Sequence, residues 1–426
     1  MAALVYNMSL TTRIFVAMLL GIALGTLANW LLPIAGSGTL LVLFRDGLFL
    51  GLFDIIGQIF IASLKVLVVP MVFVSLVCGT ASLGNHGRMG VMAGKTIALY
   101  LCTTAIAISI ALGLAILIEP GSGASYSAES NYIASNSPSL KEVLINIFPS
   151  NPIKAMAEGN MLQVIVFALL FGIAISRMGG RGAKLAESFN GLNDAIMEMI
   201  MILMRLAPYG VFCLLAKIFY TTGFSLIAQL ILYFMTVVFA LLLHVSLVYG
   251  TLFRSFTGLS PWVFFKNIRP VMMFGFATAS SNATMPVTLE TVEERLGVKN
   301  SVAAFTVPLG ATLNMDGTAI MQGVATVFIA QAFQVDIGLV GYITVILTAT
   351  LASIGTAGVP GVGLITLALV LQQVGLPVEG IALIIGVDRL LDMLRTAVNV
   401  TGDSAVSCIV AKSEKALDVE CFNRID

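Results

Sequence analysis

Apolar residues do not alternate with polar ones along this chain; they run together. Stretches of about twenty or more near residues 11 to 32, 44 to 79, 93 to 118, 158 to 177, 187 to 216 and 225 to 253 are each long enough to cross roughly 30 Å of hydrocarbon as a helix. After residue 253 the pattern changes. Apolar segments are cut there by Gly, Pro, Ser, Thr and Asn, at "TASSNATMPVT" (278 to 288) and "SIGTAGVPGVG" (353 to 363). Irregular backbone at membrane depth is tolerated only where it is buried in protein or lines a polar cavity. The flanking apolar stretches are too short to cross singly, so each interruption predicts a helical hairpin that dips in and returns. A continuous helix follows each one, the first holding Asn314 and Asp316, the second Asp388 to Asp403. Hairpin then helix, twice, is the weak internal symmetry of inverted repeats. The expected fold is an all-α membrane protein with eight transmembrane helices plus two re-entrant helical hairpins.

Composition agrees with a polytopic membrane chain. Of 426 residues, 58% are hydrophobic and 10% charged, where a soluble domain carries about a quarter charged. A net charge of zero gives no sign of a nucleic-acid partner. Cys78, Cys102, Cys213, Cys408 and Cys421 form no CxxC pair, and the first four lie in apolar runs, which reads as buried free thiols. The two histidines, His86 and His244, are far apart, so a His-based metal centre lacks partners. The first apolar run is longer than a signal-peptide core and reads as a retained helix. Basic residues gather at alternate turns: Arg88 and Lys95; Arg177, Arg181 and Lys184; Arg254, Lys266 and Arg269; Arg295 and Lys299; Lys412, Lys415 and Arg424. That bias assigns one cytoplasmic side, with both termini inside. The segment 119 to 140, which has no Lys or Arg, is then external. The first hairpin enters from the cytoplasm and the second from outside.

The candidate chemistry is a stripe. In "VDRLLDMLRTAVNVTGD" (387 to 403), Asp388, Asp392, Arg395, Thr396, Asn399 and Asp403 are three or four residues apart and share one helix face. Each Asp or Arg at the bilayer centre costs roughly 2.5 to 3.5 kcal/mol, so four uncompensated charges cost on the order of 10 kcal/mol. A ligand of mixed charge relieves this. An acidic α-amino acid offers an ammonium to Asp392, a side-chain carboxylate to the guanidinium of Arg395, and an α-carboxylate to Asn399 and the Ser280 to Asn282 tip. Asp316 and Asp403 remain, beside carbonyls that Gly317 in "NMDGT" is expected to free. Hard oxygen donors around a carboxylate suit Na⁺.

Four motifs in this order, "SSNATMP", "NMDGT", "GTAGVPGVG" and "DMLRTAVNVTGD", resemble those of the dicarboxylate/amino acid:cation symporters, a family that includes archaeal aspartate transporters and animal excitatory amino acid transporters. The resemblance runs from the third span to the C-terminus. It implies a homotrimer working as an elevator. A scaffold (1–92 and 119–216, spans 1, 2, 4 and 5) would hold a mobile transport domain made of span 3 (93–118) and residues 217–426. It also implies that substrate is held by Ser280, Ser281, Thr318, Val359, Gly363, Asp392, Arg395, Thr396 and Asn399. By the same resemblance one Na⁺ would sit among Gly310, Asn314, Asn399 and Asp403, and a second among Thr312, Met315, Ser353, Ile354 and Thr356. A third would use Tyr100, Thr103 and Thr104 with Asn314 and Asp316. Within the family, Arg395 is the mark of an acidic substrate, and Asp403, "NMDGT" and Asn282 are marks of Na⁺ rather than proton coupling. Archaeal members carry an Arg at the position of Ala279 and animal members one at that of Met393; this chain has neither. The short external segment, without the long loop of animal relatives, is expected of a prokaryotic plasma (inner) membrane protein.

Blander readings compete at single residues. Asp388 is expected to pair with a neighbouring helix, and Arg389, about 100° off the stripe, to make an interdomain or interfacial contact. Lys65 is assigned no role, His86 reads as a loop residue, and the glycosylation-like "NAT" and "NVT" fall inside the membrane. An ion channel has no need of a substrate-sized Asp392/Arg395 pair. An intramembrane aspartyl protease needs a GxGD setting that "VTGD" lacks, so no enzyme is expected.

Overall fold

The computed structural model describes residues 10–34, 45–81, 87–122, 148–222, 225–353, 358 and 360–424. Among these the chain is helical throughout, and its one extended contact is an antiparallel bridge between Val298 and Leu417. The helices are α1 Leu10–Ile34, α2 Phe53–Ala81, α3 Gly87–Ile118, α4 Pro152–Glu158, α5 Met161–Arg177, α6 Gly180–Met204, α7 Ala207–Thr222, α8 Ser225–Leu243 and α9 Gly250–Thr257. They continue as α10 Pro261–Asn267, α11 Arg269–Thr278, α12 Ser281–Glu294, α13 Asn300–Leu313, α14 Asp316–Ala332, α15 Gly338–Ser353, α16 Val362–Gln373, α17 Ile381–Ser413 and α18 Val419–Asn423.

Among the described residues, three stretches are long and apolar enough to cross a membrane unaided: Thr12–Leu31, Val91–Ile118 and Gln229–Thr257. A fourth is a bent pair, Gly180–Leu203 with Ala207–Thr221, at 48°; the sequence reads the same region as one span. The amphipathic α17 is 33 residues long, about 50 Å at 1.5 Å per residue. Its polar stripe, not its length, sets it apart from the apolar spans.

Packing falls into two groups. α1 lies along α7, and α2 against α5, α6 and α7. The first of these contacts is close because Gly21 and Gly25 expose backbone: a Cβ at Gly25 would stand 2.5 Å from the carbonyl oxygen of Ala216, the small-residue device of membrane helix pairs. In the second group α3 and α17 both pack on α14, while α11 and α13 pack on α17. α14 is buried at every residue except Gln331. A helix with no outward face is the centre of its group, and its N-terminal residue is Asp316.

Both predicted interruptions are helix breaks. α11 ends where Ala279 turns left-handed (φ 50°), and Ser280 is extended and caps α12, its Oγ accepting from the Ala283 N–H (3.2 Å). α12 folds back on α11. The second break separates α15 from α16, which pack together; Ile354, Thr356 and Val359 in it lie outside the described residues, as do His86 and the side chain of Lys65. The helix read as continuous through Asn314 is also broken. α13 stops at Leu313, α14 starts at Asp316, and Asn314 and Met315 between them leave helical geometry. Gly317 is not the loosening residue: it is helical, and a Cβ there would stand 2.5 Å from the carbonyl oxygen of Arg395. It is small so that α14 and α17 can touch. Of the cysteines expected to be buried, Cys213 and Cys408 are, Cys78 is half-buried, and Cys102 is exposed on the outer face of α3.

Candidate functional site

Arg395 is the largest fully buried side chain among the described residues. Its guanidinium donates through one Nη to Asp388 Oδ1 (2.9 Å) and through the other to Asp392 Oδ1 (2.8 Å), while its Nε finds no partner. Asp388 therefore pairs two turns along its own helix, not with a neighbour. Arg389 also bears on the site, 3.4 Å from Asp392 Oδ2, because i and i+3 adjoin on a helix. The same Oδ2 accepts the Gly361 N–H (3.0 Å) at the second break. Gly363 lies flat under the guanidinium, with Nη1 and Nη2 each 3.2 Å from where a Cβ would be.

The tips of the two breaks meet above this charge cluster. Ser280 Oγ donates to the Gly358 carbonyl (2.6 Å), and the Asn282 N–H donates to the same oxygen (3.1 Å). Ser280, Ser281, Thr318, Asp392, Thr396 and Asn399 are all buried. Thr396 turns its hydroxyl to the Asp392 carbonyl (2.8 Å), and Asn399 receives the Gly317 N–H on Oδ1 (2.8 Å) while its Nδ2 approaches Met315 Sδ (3.3 Å).

Below the Arg395 cluster is a second polar nest. Asn314 donates through Nδ2 to the Asn399 carbonyl (2.8 Å) and to Asp403 Oδ1 (2.9 Å), which fixes its amide. Its Oδ1 is buried and has no partner. A buried acceptor in that condition costs about 1–3 kcal/mol. Beside it, Gly310 has no Cβ to obstruct Asp403 Oδ1 and the Tyr100 hydroxyl, which both stand where one would clash. Among the described residues no three His, Cys, Asp or Glu side chains converge, so the donors here are amide, hydroxyl and carbonyl oxygens around a carboxylate. This is a fit for a small hard monovalent cation. Gly310→Ala is expected to push Asp403 and Tyr100 out of place and weaken cation binding here about tenfold or more, read by titrating Na⁺ into the purified protein; an unchanged titration would count against the cradle.

Asp316 is held differently from expectation. Its carboxylate accepts from the Thr104 hydroxyl (2.5 Å), the Tyr249 hydroxyl (2.7 Å) and faces His244 Nε2 (3.0 Å), so three protein groups compensate it before any cation does. His244 and Tyr249 were not among the predicted site residues. Five residues apart on an α-helix lie about 140° from each other, but 244–249 winds in wider turns, which bring both onto one face. Thr103 instead bonds the Tyr100 carbonyl (3.0 Å), and Tyr100 donates to the Thr306 carbonyl (3.1 Å). Thr312 and Ser353 spend their hydroxyls on their own helices, on the Leu309 and Thr350 carbonyls.

Buried opposite charges under two broken-helix tips in an apolar helical chain are the layout of a solute carrier's binding site. The profile of the sodium:dicarboxylate symporter family matches residues 10–413, nearly the whole chain, and the chain belongs to that family. Among its relatives, the proton/glutamate-aspartate symporter of Escherichia coli is 34% identical over 96% of this chain and 94% of the relative. The human neutral amino acid transporter B(0) is 36% identical over 91% and 77%, and human excitatory amino acid transporter 3 is 33% identical over 84% and 79%. The protein is thus a symporter and not an enzyme.

Proposed function

We propose that this symporter takes up L-glutamate or L-aspartate together with several Na⁺ ions across a plasma membrane. The observation that carries the reading is Arg395, wholly buried and bridged to Asp388 and Asp392. The guanidinium holds two carboxylates already, and an arriving substrate carboxylate takes the place of one of them. Asp392, released, is then free for the substrate ammonium. Ser280, Ser281, Gly363, Thr318, Val359, Thr396 and Asn399 complete the shell, the serines and amide serving the α-carboxylate.

The cations go to the oxygen nests. Gly310, Asn314, Asn399 and Asp403 form one site; Tyr100, Thr103, Thr104, Asn314 and Asp316 form another, with the unpartnered Asn314 Oδ1 between them; Thr312, Met315, Ser353, Ile354 and Thr356 form the third. Coupling to more than one cation follows from charge. Moving the anionic substrate inward against 100 mV costs about 2.3 kcal/mol; one Na⁺ cancels that and each further ion drives uptake.

The two packing groups support a division into a scaffold (spans 1, 2, 4 and 5) and a transport domain (spans 3, 6, 7 and 8 with both breaks as re-entrant hairpins). In the proposed homotrimer the second slides past the first as an elevator. Both termini are cytoplasmic and the cell is prokaryotic. The deciding experiment is uptake into vesicles bearing the purified protein under separate Na⁺, H⁺ and K⁺ gradients, with labelled aspartate, glutamate and neutral amino acids. Sodium-driven, saturable accumulation of the acidic ones is expected. Accumulation driven by protons alone, or of neutral amino acids alone, would overturn the ion or the substrate assignment respectively, and current without uptake would overturn both.

A further inference from the structure

Away from the charge cluster, a cavity of about 330 Å³ opens between the start of the first hairpin and the C-terminal segment, lined by Lys266, Arg269, Arg295 and Arg424 with Glu294 as the one acid. Among the described residues none of these four cations forms an ion pair. Two acids nearby in sequence are occupied elsewhere: Asp418 Oδ1 caps α18 by accepting the Glu420 and Cys421 N–H groups (2.9 and 3.1 Å), and Glu293 accepts from Asn300 Nδ2 (2.8 Å). Four cations against one carboxylate around a hollow are electrostatically uncompensated.

The walls are fixed in place. Asn267, buried, donates through Nδ2 to the carbonyls of Arg295 (3.2 Å) and Phe422 (3.0 Å), tying α10, the end of α12 and α18 together. The Lys299 N–H reaches the Ala416 carbonyl (3.0 Å) and the Asp418 N–H the Gly297 carbonyl (2.8 Å), around the Val298–Leu417 bridge. Cys421 Sγ lies 3.1 Å from the Glu294 carbonyl. The cations are thus carried on a rigid frame and not on loose ends. Next to them stands an apolar surface: Trp262 is 74% exposed and Met273 72%, with Phe274 also exposed. An outward Trp beside a cluster of Lys and Arg is what the water-facing edge of a bilayer selects.

We infer that this cavity is a binding site for a phosphate-type anion, filled by the headgroup of an anionic phospholipid whose chains lie along Trp262, Met273 and Phe274. The inference rests on the proposed orientation, which puts Lys266 to Arg424 on the cytoplasmic side. Basic pockets at that depth hold lipid headgroups, and three guanidiniums provide the paired N–H donors that a phosphodiester accepts. Occupied, the site links the base of the first hairpin and the C-terminal segment to the inner leaflet.

The test titrates phosphatidylglycerol into the full-length detergent-purified protein, with bound lipid counted by native mass spectrometry and inorganic phosphate as competitor. One tightly held lipid per protomer is expected. The K266Q/R269Q/R295Q/R424Q variant is expected to bind it at least about tenfold more weakly, since every cation lining the cavity is removed. K412Q/K415Q, which neutralises exposed lysines outside the cavity, should bind as the parent does. Glu294→Gln removes the opposing charge and should tighten binding, a gain that misfolding cannot produce. Resistance to millimolar phosphate identifies the lipid as the source; displacement by phosphate with the same dependence on the four cations identifies a soluble anion. Equal lipid retention by the parent and the quadruple variant, or no tightening in Glu294→Gln, overturns the site. Because the readout is binding and not uptake, it stands apart from failure of the transport assay.

Discussion

Arg395→Cys is expected to abolish high-affinity uptake of aspartate and glutamate and to admit small neutral amino acids. The guanidinium is wholly buried and bonds two carboxylates at 2.8 and 2.9 Å. Truncating one partner of a buried charge pair costs about 2–5 kcal/mol, or roughly thirtyfold to several thousandfold in apparent aspartate affinity. The same change strands Asp388 without a cation and leaves Asp392 only the 3.4 Å contact to Arg389, a loss of about 3–5 kcal/mol of stability. Asp388→Asn combined with Arg395→Cys should restore part of that stability without restoring acidic substrates, because the amide needs no counter-charge. Competition of labelled serine uptake by aspartate, read alongside thermal unfolding, separates the two effects. An aspartate KM that does not move in Arg395→Cys would remove this residue from the binding site.

Asp403→Asn is the second large effect. Asp403 is buried and takes Asn314 Nδ2 on Oδ1, close against the bare Cα of Gly310. Two unit charges about 4 Å apart at an effective dielectric of about 20 attract by roughly 4 kcal/mol. Losing even half of that weakens Na⁺ binding about thirtyfold. The amide is nearly isosteric, so the Asn314 contact is expected to survive by a flip of the new side chain. The Na⁺ concentration for half-maximal uptake should rise at least tenfold with aspartate still recognised at saturating Na⁺. An unaltered Na⁺ curve would exclude Asp403 as a cation ligand.

The sequence carried some of this architecture plainly and some not at all. The stripe from Asp388 to Asp403 was legible because one regular helix repeats every 3.6 residues, and α17 is one unbroken helix of 33 residues. The breaks at 279–280 and beyond Ser353 were legible because Gly, Pro and small polar residues interrupt apolar runs. Partnership was harder. Asp388 belonged to the stripe, yet its bond to Arg395 spans seven residues, two turns of the same face, and was read as a contact with another helix. His244 and Tyr249 stand 72 and 67 residues from Asp316. Their convergence depends on a local widening of one helix that periodicity does not encode. The signal present was a lone imidazole and a phenol in the apolar run "ALLLHVSLVYG", where a buried polar group requires a partner. Gly317 misled for the opposite reason: flexibility is the familiar use of glycine, and here the need is for room beside α17.

The carbonyl of Gly358 accepts from both Ser280 Oγ and the Asn282 N–H, so both lone pairs of one oxygen are spent on the opposite tip. In the carrier proposed above, with the two hairpins opening to opposite sides, whichever moves first costs that oxygen the same two donors. The proposed exits would then share a common energetic threshold at this latch, which lends no preference to inward or outward release. Directionality would come from the ion gradients, and a change at Ser280 should alter how often the compartment opens while leaving the thermodynamic limit of accumulation where it was.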